Sequence, residues 1–271
     1  TSLLMHKGKP CERSLYERAY WAIPHKVYRG SFWGTAALSY MIEYHKRKKT
    51  WQNKVDRFIC LTEFSKRKFV EAGFPIQKIS VKPNFTADPG FNANSIRLRR
   101  AVFIGRLSVE KGIEILVSGW KGIEYPLDVI GEGESIAGNN ININLLGLKS
   151  KNDVFNALKT AQFVVVPSIC YEGFPMAIVE AFACGTPVLC SRLGSMEEIV
   201  EDGVTGLHFE AGNTQDLAEK AQWLIDNPQR AREMGQNARN EYLAKYTPEK
   251  NYTMLMDIYQ QAIDEAKNVN E

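Results

Sequence analysis

Past residue 100 the apolar positions fall into two alternating patterns. Short, nearly unbroken runs (RRAVFIGRL, PLDVIGEGE, ININLLG, QFVVVPS and TPVLCS) have the length of strands. Between most of them lie stretches whose apolar residues recur at three and four positions, the helical period. The spacing predicts a helix over 110–120, another in NDVFNALKTA with Asp153 near its start, and a third in PMAIVEAFACG. The third has Pro175 at its first position and Gly185 just past its end, the usual asymmetry of a helix. Such alternation argues for a parallel sheet covered by helices on both faces. Ligands of such sheets bind beyond the carboxyl ends of the strands. Three helical patterns follow, TQDLAEKAQWLIDN, QRAREMGQNARNEYLAKY and PEKNYTMLMDIYQQAIDEAK, with Pro228 and Pro248 near the starts of the last two. Their apolar stripes read as core.

Before residue 100 the pattern is thinner. ERSLYERAYWA and GTAALSYMIEYHKRKKTW have helical spacing, rich in aromatic and basic residues. DRFICLT reads as a strand, EFSKRKFVEAG as a helix closed by Gly73, and ISVKPN as a second strand. FTADPGFNANS, polar and containing Gly and Pro, reads as a linker. Two strands cannot make a stable α/β domain alone. This region is therefore expected either to lean on the second or to have further strands upstream.

Composition changes the picture in one respect. The 271 residues are 44% hydrophobic and 24% charged, an ordinary globular balance. The formal net charge of +3 conceals a division: residues 1–100 hold 20 Lys and Arg against seven Asp and Glu, and the rest is acidic. Two regions with different partners are implied. No run approaches the roughly 18 apolar residues that span a bilayer. The five cysteines show no metal-binding spacing and no C-x-x-C, which fits a reduced, cytoplasmic protein.

The candidate chemistry lies in two loops. In IGRLSVEKG (104–112) a strand ends at Gly105, and Arg106 and Lys111 flank the start of the next helix. Free N–H groups and two cations there suit a diphosphate. An ordinary turn with two solvated cations has the same sequence. In YEGFPMAIVE (171–180), Pro175 pre-sets a helical turn, and the N–H groups around Phe174, Met176 and Ala177 are left without intrahelical acceptors. Glu172 sits on the loop before Gly173, and Glu180 follows four residues after Met176 in an apolar run. A carboxylate there needs donors or carries a desolvation cost; two adjacent ribose hydroxyls would supply them. A helix-capping Glu172 and a solvated Glu180 are the alternatives. VIGEGES carries G-x-G, but Ile136 stands where a dinucleotide-binding loop has its third glycine. There is no Asp-x-Asp, so a paired-carboxylate metal clamp is not expected. His6, His25, His45 and His208 are scattered.

Taken together, GRLSVEKGIEILV and PSICYEGFPMAIVEAFACGTPVLCSRLGSMEEIVEDGVTGLHF resemble glycosyltransferase family 4, the group 1 retaining enzymes of GT-B fold. Glu172 and Glu180 match the family's E-x7-E motif, and the similarity covers about residues 55–250. The resemblance implies a complete carboxyl-terminal Rossmann-like domain over 96–247 and a partial amino-terminal, acceptor-side one over 1–95. The last helix, 248–271, would cross back to the first domain. The resemblance implies transfer of a sugar from a UDP- or GDP-sugar to a glycan or lipid-linked glycan, without a metal and with retained configuration. Arg106, Lys111 and Glu172 would be the catalytic residues, the two cations holding the diphosphate. Gly105, Gly173, Phe174, Pro175, Met176, Ala177 and Glu180 would line the donor site, with Glu180 on the ribose. The family's glycine-rich amino-terminal loop and its histidine over the donor sugar have no counterpart here. A non-catalytic nucleotide-sugar-binding piece therefore stays open as the alternative. Nucleic acid is not an expected partner. Cations and aromatics mixed in YHKRKKTWQNK (44–54) suggest peripheral contact with an anionic membrane face.

Overall fold

A computed structural model of the chain describes residues 5–6, 9–93, 95–133 and 141–268. The chain divides into two compact units. One comprises the residues up to Lys82 together with those from Thr253 onward, and the other comprises Pro83–Tyr252.

In the first unit, β1 (Met5–His6) and β2 (Lys9–Pro10) pair antiparallel, and α1 (Arg13–Tyr16) follows. The helix expected through ERSLYERAYWA is broken after this single turn. Glu17 and Arg18 are extended, and Ala19–Ala22 forms a 3-10 turn. Tertiary contacts override the helical spacing: the Ala19 N–H donates to Glu43 and its carbonyl accepts from Ser39. Both partners lie on α2 (Phe32–Lys48), which Ser31 caps by accepting from the Gly34 N–H. Lys49, in the left-handed region at φ 50°, ends α2 and starts α3 (Thr50–Lys54). Then come β3 (Phe58–Cys60), α4 (Glu63–Glu71) and β4 (Ile79–Val81), with β3 and β4 parallel. Thr62 caps α4. The rings of Trp51, Phe58, Phe69 and Phe74 meet beneath these elements.

The second unit is built on a six-stranded parallel sheet: β5 (Ala101–Ile104), β6 (Leu127–Ile130), β7 (Ile143–Gly147), β8 (Phe163–Val166), β9 (Val188–Ser191) and β10 (Gly206–Phe209). Their order is β10-β9-β8-β5-β6-β7. The helices are α5 (Ile113–Gly119), α6 (Lys151–Thr160), α7 (Met176–Ala183), α8 (Ser195–Ile199), α9 (Thr214–Asp226), α10 (Pro228–Lys245) and α11 (Pro248–Asn268), whose later part belongs to the first unit. Val102, Val164, Val166 and Val188 face one way, against Leu158, Ile178, Phe182 and Tyr242. Phe103, Val129, Val165 and Leu189 face the other, against Leu116, Leu217 and Leu224. Alternation along each strand thus supplies two cores. Each fully buried large apolar side chain contributes about 1.5–3 kcal/mol.

Several expectations change in detail. The helix expected over 110–120 begins as a 3-10 turn, Val109–Lys111, and becomes α5 only at Ile113. Gly112 sits between them at φ 71°, and a Cβ there would lie 1.9 Å from the Pro167 carbonyl oxygen. Pro175 is the residue preceding α7, not its first turn position. The strand β10 and the helix α8 were not expected as elements; both are short, and Asp202 and Gly203 turn between them. Ile136 of the VIGEGES stretch lies outside the described residues, but Gly131 and Gly133 lie within them. They run beside the chain after β5, where a Cβ on Gly131 would meet the Gly105 carbonyl at 1.8 Å.

The segment 83–93, expected as linker, is tied to the second unit. Arg239 donates to the Asp88 carboxylate at 2.5 and 2.9 Å, which holds the Asp88 pKa below its ordinary value. The Tyr242 hydroxyl donates to the Thr86 carbonyl. A few residues on, the Arg97 guanidinium donates to the carbonyls of Leu158, Ala161, Cys184 and Gly185 and to the Thr186 hydroxyl. It thereby satisfies carbonyls at or just beyond the carboxyl ends of α6 and α7, which those helices leave without partners. No helix among the described residues is long and apolar enough to cross a membrane.

Candidate functional site

The strand order reverses direction between β5 and β8, since the chain goes outward from β5 to β6 and β7 and then returns to β8 on its other side. A crevice opens at the carboxyl ends of strands where the order reverses. The two loops leaving these strands are 105–112 and 167–175, the pair singled out in the sequence. They are joined directly: the Ile169 N–H donates to the Glu110 carbonyl at 3.1 Å.

Lys111 is the last residue of the 3-10 turn, and Gly112 reverses the backbone immediately after it. Its ammonium donates to both Glu172 oxygens, at 2.7 and 2.9 Å. The Ser168 hydroxyl donates to Glu172 Oε1 at 2.6 Å. The buried Ser195 hydroxyl, at the start of α8, donates to the Glu172 carbonyl. Glu172 is therefore fixed at both its carboxylate and its main chain. A partly buried, doubly hydrogen-bonded ion pair of this kind holds its geometry better than an exposed one. Ser168 and Ser195 were not among the sequence candidates. Small polar residues in a βα loop and at a helix start offered no distinguishing signal.

Arg106 is placed differently. Its side chain is 69% exposed and donates to Glu110 at 3.1 Å. It stands at the crevice as a solvated cation with donors to spare. Gly105 continues β5 by donating to the Ile130 carbonyl. Gly173 has open space on the side where a Cβ would point.

Phe174 packs against the core under α7, its ring edge-on to Tyr246 at 6.1 Å. Among the described residues, the N–H groups of Phe174, Met176 and Ala177 have no acceptor. They sit at the positive end of α7. Glu180 lies one turn further, about 6 Å along the axis. Its flanking residues Val179, Ala181 and Phe182 are fully buried. The carboxylate itself is half-buried, and burial raises its pKa above the ordinary 4.5, with the charge of Lys151 opposing weakly. No hydrogen bond among the described residues satisfies it. Cys170, beside this loop, is buried and its thiol is pushed up to about 11, chiefly by burial, so it is inert. Among the described residues no group of three or more His, Cys, Asp or Glu side chains is placed to hold a metal ion.

The site thus combines Arg106 and Lys111 on the first loop, each paired with a glutamate, the fixed carboxylate of Glu172, unpaired N–H groups at the start of α7 and, one turn on, the unpartnered Glu180. A model of the glycosyl transferases group 1 family matches residues 91–241, which contain all of these groups. The chain belongs to that family. This group 1 chain is 31% identical over 217 residues to an uncharacterized glycosyltransferase of Methanocaldococcus jannaschii, covering 77% of this chain and 60% of that one. It is 28% identical over 156 residues to the D-rhamnosyltransferase WbpZ of Pseudomonas aeruginosa, covering 54% of this chain and 41% of the relative. The chain therefore spans about half of these relatives' length. Among solved structures, Anabaena HepE in complex with UDP-glucose superposes with a TM-score of 0.67 at 19% identity, covering 80% of this chain and 66% of that one. Sucrose-phosphate synthase of Thermosynechococcus elongatus superposes at 0.70 with 22% identity, covering 82% and 62%. The fold is accordingly the GT-B-type α/β fold, a parallel sheet flanked by helices.

Proposed function

We propose that the second unit binds a nucleotide-activated sugar, a UDP- or GDP-sugar, and that the whole protein transfers this sugar to a glycan or lipid-linked glycan with retention of configuration. The observation that carries the reading is the Glu180 carboxylate, half-buried and without a partner one turn below three free N–H groups. A pair of vicinal ribose hydroxyls would supply the donors it lacks. The complex of HepE with UDP-glucose supports a nucleotide-sugar ligand for this fold.

In this reading the diphosphate lies between the N-terminal end of α7 and the cations of the first loop. Arg106 turns from Glu110 toward it, and Lys111 shares its ammonium between Glu172 and a phosphate oxygen. Glu172, held by Ser168 and Ser195, faces the sugar and stabilises positive charge developing at the anomeric carbon. The acceptor oxygen attacks on the face from which the diphosphate departs. The acceptor proton passes to the departing phosphate oxygen, so no protein nucleophile is required. Charge build-up on the leaving group is met by Arg106 and Lys111, without a metal. The reaction takes place at the cytoplasmic face of a membrane, which the exposed Trp33 and Tyr40 of α2 and the adjoining cations Arg47, Lys48 and Lys49 contact. The test is sugar transfer by the full-length protein in the presence of EDTA, with the anomeric configuration of the product read by proton NMR. An inverted product or complete loss of activity in EDTA would defeat this mechanism.

A further inference from the structure

The second unit has a cavity of about 370 Å3 at the amino-terminal ends of the strands, opposite the two loops. Its walls come from segments that enter the strands, where the loops above leave them. Arg97 and Arg99 precede β5, Gln162 precedes β8 and Pro187 precedes β9, while Gln229 and Arg232 lie in the first two turns of α10. No Asp or Glu is among the described lining residues.

Elsewhere in this unit arginines are matched by acids. Arg100 pairs with Asp128, Arg106 with Glu110, Arg192 with Asp202 and Arg239 with Asp88. Even Arg230, two residues from Arg232, pairs with Glu233. The three cavity arginines have no carboxylate partner among the described residues. Arg97 spends its N–H groups on one hydroxyl and on carbonyls at the carboxyl ends of α6 and α7, so its charge is offset by backbone dipoles and by no acid. Its pKa falls to about 10, mainly through burial, with Cys184 opposing and the positive charge of Arg232 adding to the fall. Arg232 gives one N–H to the Ser95 carbonyl, and Arg99 lies 6.0 Å from the Tyr125 ring. Both keep guanidinium donors free.

A concave site with three cations, two of them with unused forks, and with amide side chains around it is matched by an anion with several acceptor oxygens. The volume lies near the lower end for small-molecule sites, which suits a compact ligand.

We propose that this cavity is a second ligand site, taking a small phosphorylated metabolite whose phosphoryl group is held by Arg99 and Arg232 over the fixed charge of Arg97. The site is separate from the donor crevice and does not depend on the reading given to it.

Glucose 6-phosphate serves as the probe, titrated by calorimetry into three forms of the chain: wild type, Lys111→Ala, and Arg99→Ser combined with Arg232→Ser. The proposal expects a wild-type dissociation constant below about 1 mM. It expects affinity within about twofold of wild type for Lys111→Ala, and a loss of about tenfold or more for the double variant. Arg99 and Arg232 are exposed, so the double variant should keep its melting temperature; if it does not fold, Arg232→Gln alone is measured, with the same expectation. Absence of binding to the wild type overturns the proposal. So does binding that survives the loss of both arginines. Binding lost in Lys111→Ala but kept in the double variant would place the probe in the donor crevice and likewise overturn it.

Discussion

Replacing Glu180 by Gln separates two consequences of one buried carboxylate. The burial that raises its pKa means that the folded protein holds this proton more tightly than the unfolded chain does. Stability therefore falls as pH rises from the ordinary carboxylate value of 4.5 through the raised one, and the full cost is present at neutral pH. Glu180→Gln removes the charge with little change of shape. The unliganded variant should melt higher than wild type at pH 7, and the gain should vanish below the ordinary carboxylate range.

Nucleotide binding should move the other way. Two charge-assisted bonds to ribose, about 1.5–3 kcal/mol each, become at most one neutral bond of about 1 kcal/mol. The loss is at least about 2 kcal/mol, roughly 30-fold in affinity. Differential scanning calorimetry across pH and titration with the nucleoside diphosphate read the two effects. Wild-type affinity should also weaken on acidification, with a midpoint above that of an ordinary glutamate. A variant that melts lower at pH 7 would show that Glu180 already has a partner. Unchanged affinity for the nucleotide would remove the ribose from the account.

Three further outcomes follow from other contacts. Arg106→Ala or Lys111→Ala in the full-length protein should slow turnover by two orders of magnitude or more in steady-state assays, since transition-state contacts of this kind are worth about 3–4 kcal/mol. Arg97→Ala should leave carbonyls at the ends of α6 and α7 unsatisfied, at a cost of about 3 kcal/mol or more. In thermal melts this should lower the second unit's midpoint by roughly 6–12 °C. Trp33→Ser with Tyr40→Ser should reduce co-sedimentation with anionic vesicles at low salt, and wild-type binding should fade at high salt; absence of wild-type binding at low salt rejects the membrane contact.

Much of the second unit was legible because its signals are local. The FVVV run of β8 read as a fully apolar strand, and it is buried along its whole length. Met176–Ala183 carried its own start and stop in Pro175 and Gly185. The E-x7-E spacing placed Glu172 and Glu180 on one loop and helix. What was missed depends on partners far along the chain. Lys111 and Glu172 are 61 residues apart, and nothing local says that they bond to each other instead of acting separately. The 3-10 turn is set off from α5 by Gly112, whose φ of 71° and nearness to the Pro167 carbonyl admit no side chain, and Pro167 lies far along the chain. Asp88 lay in a segment whose polar, Gly- and Pro-containing composition reads as linker, and its role appears only once α10 brings Arg239 to it. The broken helix near Ala19 has the same origin, since Glu43 and Ser39 of α2 claim its backbone.

The proposed function requires that the loops after β5 and β8 together bind a nucleotide sugar. Its most direct test is a calorimetric titration of the chain with a panel of UDP- and GDP-sugars, repeated with Glu180→Gln and Lys111→Ala. At least one panel member should bind, the free nucleoside diphosphate should compete with it, and Glu180→Gln should weaken it by about 30-fold or more and Lys111→Ala by about tenfold or more. Failure of every panel member to bind, or binding indifferent to both substitutions, would contradict it.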